Sequence, residues 1–173
     1  YSRFFFGSSV SDVGADGILA LERNWVGPLE ENGGVETTFA FWQNLELKHP
    51  ELKGNWRWQQ LVMRSYYDTY TKRRKIYEQN LEKEANYILA QAGKIGSEKA
   101  MEDALKMVNR ADKEPISPEL KQKIVDYCEA LFQFIGMQTS VKKYNASGAE
   151  RGAILDFIDY PLNNRWWLAN EFE

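Results

Sequence analysis

From Asn55 to Ala92 the chain runs 38 residues without Gly or Pro, and its apolar positions return to one helical face. Val62, Tyr66, Tyr70, Tyr77, Leu81, Ala85 and Ile88 follow one another at intervals of four, four, seven, four, four and three. Steps of three and four stack side chains on the same side of a helix, so the segment predicts one long amphipathic helix. Tyr67 and Ile76 widen the stripe, and Gly93 and Gly96 terminate it.

Shorter patterns flank it. Asp16 is a candidate N-cap for a helix over Ile18–Arg23, which Gly27-Pro28 ends. Phe39, Trp42 and Leu45 mark a second helix over Glu36–Leu47, closed by His49-Pro50 because a residue before Pro disfavours the helical region. Ser97 is expected to cap a helix to about Ala111 with Ala100, Met101, Ala104, Leu105 and Val108 facing inward. Ser117-Pro118 opens another, to about Thr139, whose buried side carries Ile124, Tyr127, Cys128, Leu131, Phe132 and Ile135.

The ends are less regular. Tyr1 to Ala15, with Phe4-Phe5-Phe6 among Gly and Ser, predicts an extended or looped entry. Tyr144 to Gly148 is loop-like, Ala149 to Ile158 is a further helical candidate, and Pro161 to Asn164 is a turn. Weak strand patterns occur near Phe4 and Ser140. The predicted class is all-α: about five helices packed around one long central helix, with irregular N- and C-terminal segments, in a single helical domain over 1–173. The start at Tyr1 and the stop at Glu173 lead us to expect a segment of a longer protein.

Composition adds a large aromatic core. Aromatic residues make up 14% of the 173 residues, including six Trp, and each buried ring removes on the order of 150–250 Å² from water. A net charge of −3 argues against nucleic acid as a partner. The only dense basic run, Lys72-Arg73-Arg74-Lys75, reads as the solvated side of a helix, with Glu78, Glu82 and Glu84 close behind. One cysteine and one histidine exclude an internal disulfide, a Cys–His nucleophile pair and a His-based metal site. Cys128 reads as a buried structural thiol. No nucleotide loop, EF-hand, nucleophile elbow or redox pair occurs, so no cofactor is expected, and no segment is apolar enough to span a bilayer.

Four constellations could carry chemistry. Glu22-Arg23-Asn24-Trp25 is followed by the adjacent acids Glu30 and Glu31 and by Asn32. Paired carboxylates can divide acid and base duties, and a Trp beside them offers an apolar face to a sugar ring. The same residues also suit a solvated acidic loop with Trp25 plugging the core. Asn163-Asn164-Arg165-Trp166-Trp167 places two indoles on different sides of any regular element, so one can face a ligand or a neighbouring domain. Tyr66, Tyr67, Tyr70 and Tyr77, interleaved with Arg64, Asp68, Arg73 and Arg74, could stack bases or sugars, but helical spacing favours core. Asn55-Trp56-Arg57-Trp58 suits packing at a helix junction.

Three stretches carry a resemblance: Ala15 to Pro28 with the Glu-Glu-Asn-Gly-Gly after it, Ala130 to Gln138, and Asp159 to Leu168. Together they resemble a helical region of large uncharacterised bacterial proteins that are exported and carbohydrate-associated. The likeness implies a periplasmic or secreted setting and neighbouring domains in a longer parent chain, and it implies no catalytic residues.

The expected function is a saccharide-binding surface. Trp25, Trp166 and Trp167 would be stacking platforms, and Asn32, Asn164 and Arg165 would supply hydrogen bonds. Glu30 or Glu31 would be the acid/base if catalysis occurs. One alternative is a helical protein–protein interaction scaffold. The other is a glycoside hydrolase, whose two carboxyl groups would stand roughly 5–5.5 Å apart for retention or 6.5–9.5 Å for inversion.

Overall fold

In a computed structural model the chain is described from residue 1 to residue 134. Every regular element among these residues is helical: α1 (Ser2–Phe6), α2 (Ser11–Arg23), α3 (Gly34–Lys48), α4 (Trp56–Ala90), α5 (Ala92–Ile95), α6 (Ser97–Val108), α7 (Arg110–Lys113) and α8 (Pro118–Phe134). Tight 3-10 turns cover Ser8–Val10 and Pro50–Leu52. The all-α class follows directly. The continuation of α8 towards Thr139, the candidate helix at Ala149–Ile158 and the turn at Pro161 lie outside the described residues.

Two compact units divide the chain. The first holds residues 1–72 and 119–134, and the second holds 73–118. Helix α4 belongs to the first as far as Lys72 and to the second thereafter.

The first unit is built on aromatic rings. Trp42 of α3 and Trp58 of α4 are fully buried, with ring centroids 5.3 Å apart in an edge-to-face arrangement, and Phe6 meets Trp58 at 5.2 Å. Leu21, Val62, Tyr70, Ile124 and Cys128 belong to the same core. Gly17 lets α2 approach this close: its carbonyl accepts the Trp42 indole N–H at 3.1 Å, and a Cβ there would stand 2.8 Å from that ring.

At the start of α4, Asn55 joins two elements. Its Oδ1 accepts the backbone N–H groups of Arg57 (3.0 Å) and Trp58 (3.3 Å), satisfying helix donors that would otherwise lack partners. Its Nδ2 donates to the carbonyl of Phe5 at 2.8 Å, so the N-terminal segment is tied to the same cap. Arg57 lies against the faces of Phe5 (3.8 Å) and Trp56 (4.0 Å). The Asn55–Trp58 cluster is a packing junction.

Several local expectations change. The N-terminal segment is helical, not extended, because Ser2, Phe6 and Gly14 pack α1 on α2 and a Cβ at Gly14 would meet the Ser2 hydroxyl at 2.4 Å. Helix α2 accordingly starts at Ser11, and Asp16 is an exposed interior residue instead of a cap. The basic run is not a solvated face: Lys72 and Arg74 are buried. Their stems pack inside while their heads find oxygen, Lys72 Nζ on the carbonyl of Asn32 at 2.6 Å and Arg74 Nε on Glu78 at 2.7 Å.

The second unit has a leaner interior, with Leu81, Ala85, Ala100 and Ala104 buried. Only alanines of α6 face inward. Met101, Leu105 and Val108, expected on that side, are instead exposed, Leu105 to 61%. Ser97 makes no side-chain cap, and Gly96 at φ 90° precedes the helix. A helix with two adjoining apolar stripes does not reveal which one a neighbour covers.

Candidate functional site

The segment singled out from sequence, Glu22 to Asn32, forms one bracket against α4. Asp68 is its centre. This carboxylate is 1% exposed, and 43 and 44 residues separate it from the groups that hold it. Asn24 donates its amide N–H to Oδ2 at 2.9 Å, Trp25 donates its indole N–H to Oδ1 at 3.0 Å, and Arg64 approaches Oδ2 at 4.0 Å. Burial pushes the Asp68 carboxyl above the usual carboxylate range, opposed by the Asn24 bond, the Arg64 charge and the Trp25 bond.

Trp25 has its N–H fixed on that buried acid while 52% of the residue stays open to solvent. Beside it, Arg64 forms an ion pair with Glu22 at 2.7 Å and donates to the carbonyl of Leu21 at 3.3 Å. Asn32 acts as a brace. Its Nδ2 donates to the carbonyls of Arg23 (2.8 Å) and Asn24 (3.1 Å), and its Oδ1 accepts the N–H of Gly34 at 2.9 Å. Those bonds occupy both ends of the amide, so the residue shapes the loop that carries Trp25. Glu30 is half-buried and Glu31 exposed, in the turn that the Glu31 N–H closes on Pro28. Asn164, Arg165, Trp166 and Trp167 lie outside the described residues.

A second group of residues was missed by the sequence reading. A cleft of about 510 Å³ opens between the end of α3, the turn after it, the start of α4 and α8. Glu46 stands in it, accepting the hydroxyls of Tyr66 (2.8 Å) and Tyr127, with Lys123 at 3.4 Å. Burial, then the bond to Glu46, pushes the Tyr66 hydroxyl up to about 12, and the same causes push Tyr127 up further. Both hydroxyls therefore stay protonated donors at neutral pH, and Glu46 is a fixed acceptor.

Gln59 also lines this cleft, at 6% exposure. Its Nε2 donates to the carbonyl of Lys53 at 2.7 Å, which sets the amide's orientation, and its buried Oε1 meets no donor among the described residues. An unmet buried acceptor costs about 1–3 kcal/mol. His49, the one histidine, is held by Glu51 at 2.9 Å and set edge-on to Trp58. No local pattern announces this group. Glu46 reads as a polar position between two leucines, His49-Pro50 as a helix stop, and Tyr66 and Tyr127 as core.

Among the described residues no cluster of three or more His, Cys, Asp or Glu side chains could hold a metal ion, and no helix is long and apolar enough to cross a membrane. Comparison with known protein families, with curated proteins and with solved structures finds no significant match.

Proposed function

We propose that the chain is a saccharide-binding helical domain and that Trp25 is its stacking platform. The observation that carries this is the indole fixed by its N–H to a buried carboxylate while half the residue faces water. A ring ordered before binding loses little freedom when a sugar ring lies on it. Arg64 and Glu22 share the same node and provide a donor and an acceptor for ligand hydroxyls. On this reading Glu30 and Glu31 are rim groups.

Titration of an oligosaccharide panel, followed by Trp fluorescence, tests the proposal. We expect a saturable change with at least one glycan, abolished in Trp25→Ala while the helical circular dichroism is retained. A folded chain that responds to none of the glycans, or a Trp25→Ala variant that binds equally well, would overturn it.

A specific observation also favours an interaction scaffold: Met101, Leu105 and Val108 form an exposed apolar stripe on α6. If it docks a partner surface, Leu105→Glu should lower binding of an apolar dye and any concentration-dependent association. Unchanged dye binding and association would remove this reading.

A further inference from the structure

Positions 66 and 68 point to opposite sides of α4, so the Glu46 cleft and the Trp25 node are separate places on the first unit. The cleft has its own polar equipment. Its volume of about 510 Å³ lies within the usual span of small-molecule sites, roughly 300–1,000 Å³. Two of its lining residues carry acceptors: Glu46, oriented by two tyrosines, and Gln59, whose buried Oε1 has no donor among the described residues. Two exposed lysines, Lys53 and Lys123, also line it. Lys123 is 3.4 Å from Glu46, and Lys53 has no ion-pair partner among the described residues. The nearby carboxylate of Glu51 is engaged by His49.

We infer that this cleft binds a small hydroxylated organic anion, of the hydroxy-acid or sugar-acid class. The ligand's hydroxyls would donate to Glu46 and, on a small shift of its buried amide, to Gln59, and its carboxylate would lie between Lys53 and Lys123. A neutral polyol satisfies the acceptors but leaves the lysines solvated. A simple fatty acid meets the lysines but not the acceptors. The class is therefore set by the conjunction of the two features.

Calorimetric titration with gluconate and with sorbitol, in the Trp25→Ala variant, tests the inference without relying on the Trp25 platform. Gluconate should bind, and sorbitol more weakly. Lys53→Met and Lys123→Met, both surface changes with little risk to folding, should each weaken gluconate about fivefold and leave sorbitol unchanged. Added salt should act in the same direction as those variants. Gln59→Leu should weaken both ligands. Absence of gluconate binding at millimolar concentration, equal affinity for gluconate and sorbitol, or full affinity in the double lysine variant would each overturn it.

Discussion

Asp68 shows how one buried charge couples stability to a surface feature. Its carboxyl titrates above the range of an exposed aspartate, so the folded chain holds this proton more tightly than the unfolded chain does. The contribution of Asp68 is therefore fully present below the unfolded value near 3.8 and is lost as pH rises through the folded value. Asp68→Asn would face an amide donor towards Asn24 or Trp25. It should cost about 1–3 kcal/mol in chemical denaturation and broaden the Trp25 emission. An unchanged midpoint with unchanged emission would show that the node holds nothing in place. The tyrosines around Glu46 act at the other end of the pH scale. Tyr66 is pushed from 10.0 to about 12, so stability should fall as pH rises across that interval. Glu46→Gln should lower the pH at which tyrosinate absorbance appears, though not to the free value, because burial is the larger cause. An unshifted tyrosinate titration would contradict the geometry around Glu46.

Among the elements, α2 and α6 show opposite relations between pattern and packing. Gly17 has no place in a helix on propensity alone, yet α2 needs it where Trp42 donates to its carbonyl. Gly17→Ala would force that ring to move, and we expect a loss of about 1–3 kcal/mol despite the better helix former. An increase in thermal midpoint would refute the close approach. In α6 the inward stripe is Ala100 and Ala104. Met101→Gln and Leu105→Gln should thus change stability by no more than about 0.5 kcal/mol, whereas Ala104→Leu must overpack the second unit. The positions of α3, α4, α6 and α8 were legible from spacing of three and four, from Gly and Pro, and from Ser117-Pro118. Those signals act within a turn or two of the chain. Which stripe of α6 is covered depends on a partner element, and no local signal carries that.

The chain as a whole is acidic and aromatic, and its single thiol reports on its opening. Cys128 is buried, its Sγ is 3.7 Å from the Met63 sulfur, and burial pushes the thiol up from the ordinary range. Alkylation of the native protein should therefore be slow and should accelerate only with loss of the first unit's core, as followed by denaturant dependence. Rapid labelling under native conditions would contradict the packing of α8.

Sequence alone determined the all-α class, where α3, α4, α6 and α8 lie, and that Trp25 and Asn32 belong to one segment. Periodicity, capping residues and breakers are local, and helix formation is decided locally once a core is available. Tertiary structure alone decided that Asp68 is buried under Asn24 and Trp25, that Lys72 turns inward to a loop carbonyl, and that Glu46, Gln59 and Lys123 line one cleft. Those groups lie tens of residues apart, and their meeting depends on which helix faces pack together. The polar residues involved carry no periodic mark of their own, because a single buried charge or amide leaves a helical pattern unchanged.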